Sequence, residues 1–317
     1  MIQETVFGPI NSRRFGTSLG VDLSPNLKQC NFDCLYCELK QEKKRVELQT
    51  NPVVLSKILR EIETTLEKFD NIDVLTFTAN GEPTLYPDLD NLIAQVNKFK
   101  ARYNLETLIL SNSGNIWYPD IRNTLMKFDK VKLSLDCATQ NCFEKIDRPI
   151  DGITIDAIKT GISEFAQKFQ GELFIEILFL EHINAKSDEV AELNKFLLTL
   201  PKVTRIDIGT VERPPAYDVK PLSYNALLEI SQDFDKDLPI LISKHREKKS
   251  DTRYLVESEI LHILRLRPLT KYDFESLFDN ETIDNLERLL EDDLVEIKKV
   301  GDIEFYQPSK SLEATNL

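Results

Sequence analysis

The chain has 317 residues, of which 41% are hydrophobic and 29% charged, an ordinary globular balance with room for one large domain and a small one. A formal net charge of -13 favours solubility and argues against a generally nucleic-acid-binding surface, while leaving room for a local basic patch. No apolar run reaches the ~18 residues of a membrane span, and the first residues lack the basic and apolar regions of a secretory signal, so the cytoplasm is the expected compartment.

Residues 19–24 read as a short strand that runs into a polar loop holding Cys30, Cys34 and Cys37. Three thiols spaced three and then two residues apart can wrap one side of a compact inorganic cluster. A cubane of four irons takes four ligands, and this loop offers three. One iron would then be left for an outside ligand, as a catalytic metal keeps an open position. A structural zinc site would need four protein ligands; no fourth cysteine lies near, and His182 is the first histidine. Five cysteines grouped as three plus two do not look like an extracellular disulfide framework.

This spacing, with Tyr36 before the third cysteine, resembles the signature of the radical S-adenosylmethionine (SAM) superfamily. The lead-in sharpens the likeness: Phe7-Gly8-Pro9, Ser12-Arg13-Arg14, Ser18-Leu19-Gly20-Val21-Asp22 and Ser24-Pro25 resemble the radical SAM proteins grouped with the wyosine (tRNA imidazoguanosine) synthases. The resemblance covers roughly residues 1–215. It implies an α/β fold with a partial (β/α)6 TIM-type barrel, and a [4Fe-4S] cluster held by Cys30, Cys34 and Cys37. It also implies SAM bound at the open iron and an external one-electron donor of flavodoxin or ferredoxin type. The implied reaction is reductive cleavage of SAM to a 5′-deoxyadenosyl radical that takes hydrogen from a substrate. Tyr36 is expected to lie along the adenine.

Beyond the cysteines, Lys40, Lys43, Lys44 and Arg45 against Glu42 form a charged segment. It reads as a solvated loop or, less favoured, a basic rim for a phosphate-bearing substrate. Val53, Val54, Ile58, Ile62 and Leu66 make a helical stripe. Strands are expected at 73–79, 107–111, 130–136, 173–180 and 204–211, with helices at about 85–101, 119–127, 154–169 and 187–199 between them. Such alternation predicts a parallel sheet with crossover helices; the pattern alone also permits an open doubly wound sheet. In either, chemistry belongs at the C-terminal strand ends.

After the second strand, Gly81 and Glu82 match the superfamily's Gly-Glu motif and suit the methionine end of SAM, with Asn80 where glycine is usual; a plain turn is the alternative. Asn112, after the third strand, reaches SAM's carboxylate or makes a turn. Ser134 and Asp136 share one face at the end of the fourth strand and suit ribose hydroxyls, or cap the next segment. Cys137 and Cys142 are read as inert thiols in preference to substrate contacts. Glu176, a carboxylate in an apolar strand, must face the interior or find a partner, and is a SAM contact or part of a structural network. Asn184 contacts SAM or turns the chain. Glu212 and Arg213 project near the mouth, Arg213 suiting a carboxylate or phosphate.

The barrel is expected to end at residue 222. A helix and polar linker at 223–250 follow, then a small winged-helix-like α+β domain at 251–317 with three helices and a hairpin. That last region carries 8 Lys/Arg against 16 Asp/Glu, so DNA phosphates would be repelled and protein contact is the expected use. For the substrate three classes stand: a tRNA base, a small molecule or peptide, or none, in a non-catalytic Fe–S sensor. Retention of the SAM motifs argues against the last.

Overall fold

The computed structural model describes residues 4–12, 15–39, 41, 44–69, 71–242, 254–266, 268–300 and 303–309. Arg13, Arg14, Lys40, Lys43 and most of the expected linker lie outside these.

The large unit is an eight-stranded sheet whose spatial order follows the chain. Two strands open it, β1 (Val6–Ser12) and β2 (Gly16–Asp22), and they pair antiparallel. Then come α1 (Leu55–Leu66), β3 (Val74–Thr78), α2 (Leu89–Phe99), β4 (Glu106–Ser111), α3 (Pro119–Leu125) and β5 (Lys130–Ser134). Two helices, α4 (Gln140–Ile146) and α5 (Ile155–Lys168), precede β6 (Glu172–Phe179). The unit closes with α6 (Ser187–Leu197), β7 (Arg205–Thr210), α7 (Tyr224–Gln232) and β8 (Ile240–Ile242). From β2 to β8 every pairing is parallel.

Because the order never reverses, the sheet is singly wound, which removes the doubly wound alternative. It also curls. Phe15, at the foot of β2, meets Phe174, at the foot of β6, with ring centroids 5.0 Å apart although three strands lie between them. A mostly parallel, curled, open sheet is consistent with a partial TIM barrel. Helix stripes cover the convex face: Ile58, Ile62 and Leu66 of α1 recur one turn apart and are buried. Along β6, Leu173, Ile175, Ile177 and Phe179 are buried, while Glu176 and Leu178 on the opposite face are half-buried. That alternation marks a concave face open near the strand ends.

Three elements are additions to the expected list. β1 escapes notice because Gly8-Pro9 interrupts its alternation. Its role is to cover β2: a Cβ on Gly20 would stand 2.2 Å from the Phe7 ring. α4 is short, with Thr139 capping it by accepting from the Cys142 N–H. In the stretch at 223–250 the expected helix is present as α7, and after it the chain returns to the sheet, with β8 pairing to β7 through Ile206↔Ile240 and Ile208↔Ile242.

The second unit contains α8 (Glu257–Leu266), β9 (Leu269–Thr270), α9 (Lys271–Leu277), α10 (Asn280–Glu291), β10 (Val295–Val300) and β11 (Ile303–Pro308). Its three-stranded antiparallel sheet runs β10-β11-β9. It has its own core, with Leu255, Ile260, Leu264, Phe274, Leu286 and Leu289 among its buried members.

Candidate functional site: a cysteine loop across the strand ends

The three thiols sit in a loop stapled to the C-terminal ends of several strands. At its start, Gln29 and Gly81 form an isolated parallel bridge. The Gln29 N–H donates to the Asn80 carbonyl at 2.9 Å and the Glu82 N–H to the Gln29 carbonyl at 3.0 Å. Gly81 has φ +135°, and a Cβ there would stand 1.8 Å from the Gln29 carbonyl oxygen. Glycine is required because two backbones meet, one of them one residue from Cys30.

At the loop's far side, the Asp33 N–H donates to the Asp147 carbonyl at 3.1 Å and the Leu35 N–H to the Ile146 carbonyl at 2.8 Å, so the end of α4 holds it. The chain after β7 closes the third side. Arg213 makes a two-point contact with Glu38 at 2.7 and 2.9 Å, the Ala216 N–H donates to the Cys37 carbonyl, and the Tyr217 hydroxyl donates to Asp33. Arg213 is therefore committed to a protein carboxylate. Arg45, from the expected basic rim, donates to the carbonyls of Arg148 and Pro149.

Cys30, Cys34 and Cys37 are all free thiols. Their surroundings supply donors to sulfur. The Phe32 N–H lies 3.4 Å and the Asn112 Nδ2 3.5 Å from Cys30 Sγ, and the Lys28 ammonium 3.6 Å from Cys37 Sγ. Burial pushes Cys30 up to about 12, with the Glu82 charge adding to it. Burial likewise raises Cys34, beside Asp147, and Cys37, where Lys28 opposes the rise. A thiol that coordinates a metal is deprotonated outright. Three soft donors on one loop, with N–H groups aimed at two of them, fit an iron–sulfur cluster.

Glu82 is 1% exposed, at the junction of two strand-end loops. Its Oε1 accepts from the Thr84 N–H, Thr84 Oγ1 and Ser111 Oγ, and its Oε2 from the Asn112 N–H at 2.7 Å. Burial raises its carboxyl and these donors oppose the rise. Asn112 continues the chain of contacts, donating to Asn31 Oδ1 at 2.8 Å.

Across the site, the Tyr36 hydroxyl donates to Asp136 Oδ2, and the Leu178 N–H donates to Asp136 Oδ1 at 2.7 Å. Desolvation pushes the Asp136 carboxyl up to about 6, with the Tyr36 bond pulling the other way. Tyr36, Ser134 and Asp136 line one small cavity with Phe32, Asn112 and Asp147. Glu82 lies beside it through its bond to the Asn112 N–H.

Two residues with alternative readings have protein partners. Asn184 is fully buried; its Oδ1 accepts from the Leu180 N–H and its Nδ2 donates to the carbonyls of Asp136 and Leu178. It turns the chain and positions Asp136, both amide atoms engaging backbone groups. Glu176 pairs with Lys132, which also lies 3.5 Å from Asp207, itself paired with Arg205. Glu176 thus has a place in a structural ion-pair network. Cys137 and Cys142 are not free thiols: they are bonded to each other. Residues with no sequence signal complete the loop's support: Asp147, whose carboxylate lies 3.4 Å from Cys34 Sγ, Arg148 stacked 4.6 Å over the Tyr217 ring, and Lys28. Tertiary folding alone brings them together.

The family model for the radical SAM superfamily matches residues 27–194, and the chain belongs to that superfamily. A UPF0026 protein of Helicobacter pylori is 37% identical over 305 residues, covering 95% of this chain and 96% of its own. Among solved structures, a radical SAM methyltransferase from Sphaerobacter thermophilus superposes with a TM-score of 0.52 at 12% identity, over 71% of this chain and 66% of that one. HydG, a maturase of the [FeFe]-hydrogenase, gives 0.50 at 12% identity, over 80% and 56%. At such identities the likeness concerns the fold alone. The chain is a radical SAM enzyme, and its cofactors are a [4Fe-4S] cluster and SAM. No described helix is long and apolar enough to cross a membrane.

Proposed function

We propose that the enzyme uses SAM cleavage to abstract a hydrogen atom from a substrate held at the open end of the sheet. When bound, the cluster and SAM together supply one electron and then a carbon-centred 5′-deoxyadenosyl radical; the protein binds, orients and excludes water. Cys30, Cys34 and Cys37 hold the cluster. The Gly81–Glu82 edge orients the methionine end, with the Glu82 carboxylate fixed by its four donors. Ser134 and Asp136 take the ribose, and Tyr36 flanks the adenine while its hydroxyl steers Asp136. Asn112 donates toward Cys30 and lines the same cavity. The electron comes from an external donor of flavodoxin or ferredoxin type.

The observation that carries this reading is the convergence itself. One loop with three free thiols is bonded at one edge to the Gly81–Glu82 turn and at the other to Asp136. The test is anaerobic reconstitution with iron and sulfide. Wild type is expected to show cubane absorption and paramagnetic resonance after reduction, and to release 5′-deoxyadenosine from SAM. Cys34→Ala is expected to lose both. Asp136→Asn is expected to keep the cluster and weaken SAM binding. A wild-type protein that takes up iron yet leaves SAM intact under strong reductant overturns the reading.

We further read residues 254–308 as a winged-helix-like domain. The order helix, short strand, two helices and hairpin supports this, as does the separate core. Its acidity supports protein contact rather than nucleic acid.

A further inference from the structure

Three of the five cysteines serve as cluster ligands in the reading above; the other two make a bond at a place that matters. Cys137 follows Asp136 directly, at the end of β5. Cys142 lies in the first turn of α4. The disulfide spans five residues, and both sulfurs belong to buried residues. It joins two walls of the cavity beside Tyr36. One wall is the β5 end, with Ser134, Leu135 and Asp136; the other is α4 and its exit, with Phe143 and Asp147. The α4 end also accepts the Asp33 and Leu35 N–H groups of the cluster loop. Whatever shifts α4 against β5 therefore changes both the cavity and the loop.

The bond is not what gives this segment its course. Glu189, from α6, accepts from the Ala138 and Thr139 N–H groups through Oε1 and from the Thr139 hydroxyl through Oε2. Thr139 caps α4 through its own hydroxyl, a contact that does not involve either sulfur. So short a loop restricts the unfolded chain less than a long one does, which puts its stabilising effect at the low end for a disulfide. The same chain must keep three other cysteines as thiols to bind iron. Surroundings that hold those three reduced also act on this pair.

We propose that Cys137 and Cys142 are a reversible thiol–disulfide site that sets the affinity of the neighbouring cavity for SAM. In the closed form the bond pins α4 to the β5 end. In the open form the walls separate and SAM binds more tightly. Opening consumes one dithiol: its two sulfurs form a new disulfide, and two electrons and two protons pass to Cys137 and Cys142. Closing is the reverse exchange with a disulfide oxidant. This rests on the assignment of that cavity to SAM.

The test uses the full-length protein poised anaerobically across a series of dithiothreitol ratios. Thiols are trapped by alkylation and counted by intact mass with peptide mapping. The expected result is a two-thiol change confined to Cys137 and Cys142, as one two-electron transition. On reconstituted protein, equilibrium SAM binding is expected to strengthen about tenfold on opening, a size typical of coupling between sites. Cys137→Ala/Cys142→Ala is expected to bind SAM as the open form does at every ratio. A pair whose state never changes across the series overturns the proposal, whatever the variant does. So does a pair that opens with no change in SAM affinity. If neither form binds SAM while the thiols still titrate, the cavity assignment fails, and the affinity proposal falls with it.

Discussion

A methyl group on residue 81 would stand 1.8 Å from the Gln29 carbonyl carbon's oxygen, in a backbone conformation that L side chains rarely adopt. Gly81→Ala must therefore push the turn after β3 off the start of the cluster loop. Strain of this kind costs about 1–3 kcal/mol, and iron uptake on reconstitution is expected to fall well below wild type while far-ultraviolet dichroism is kept. A second residue, which is not a cluster ligand, carries a pH signature. Asp22 is buried at the end of β2, and its Oδ1 accepts from the Ser24 and Asn80 N–H groups, both at 2.8 Å. Desolvation pushes its carboxyl up to about 6 from the ordinary 3.8. Between those values the folded chain holds a proton that the unfolded chain releases. Its stabilising contribution is complete below the lower value and is lost as pH rises through about 6. Asp22→Asn keeps the Oδ1 acceptor and removes the titration, so it is expected to gain on wild type by on the order of 2–3 kcal/mol between pH 4 and 7. Urea unfolding at both pH values measures this, and equal gains at both would contradict it. The sequence made Cys30, Cys34, Cys37, Gly81 and Glu82 legible because their chemistry lies in local spacing. It left Asp147 and Tyr217 invisible, since each reaches the loop only through the curl of the sheet, and Lys28 too, since only the fold of the loop brings its ammonium to Cys37. Asn184 and Glu176 were open to two readings for a related reason: a polar residue at a strand end signals a partner, and the partners seen here are protein groups.

Between elements, the chain after β7 acts as a clasp on the cluster loop. Arg213 and Glu38, 175 residues apart in the chain, form a two-point ion pair, each about 29% exposed. Here one guanidinium nitrogen, Nη1, reaches both carboxylate oxygens, a charge-assisted contact at partial burial that ranks with the better surface pairs. A double-mutant cycle on Arg213→Met and Glu38→Gln is expected to give a coupling of about 1 kcal/mol. Iron in Arg213→Met is expected to be released faster to a chelator. A coupling near zero would place the clasp elsewhere, on Tyr217 and Asp33. The helices were the easiest elements to read, because α1, α2, α5 and α6 each show one apolar face at helical spacing. The central strands followed from their Val, Ile, Leu and Phe content. What escaped was short or interrupted: β1, broken by Gly8-Pro9, β8, three residues long, and α4, seven residues long. The periodicity of such pieces is too brief to register, and only packing against β2, β7 and the cluster loop stabilises them.

At the scale of the molecule, two separate cores decide how the chain comes apart. One gathers buried residues from Val6 to Phe234 around the sheet; the other gathers Leu255 to Val295 around α8 and α10. The large core includes Ile162 of α5, fully buried; Ile162→Ala is expected to cost about 2–5 kcal/mol and to shift only the transition of the sheet unit. All the residues assigned to cluster and SAM lie within the first core's span. A chain cut after residue 242 should accordingly fold, load iron and cleave SAM at rates near those of the full chain. Loss of iron uptake on truncation would mean that the second unit supports the site directly. Denaturation of the full chain should show two transitions, since cooperative unfolding follows cores rather than chain length. The midpoint of one should follow cluster loading, because a group that binds only the folded unit stabilises that unit by mass action. A single transition that moves as a whole with iron content would merge the two cores into one cooperative body.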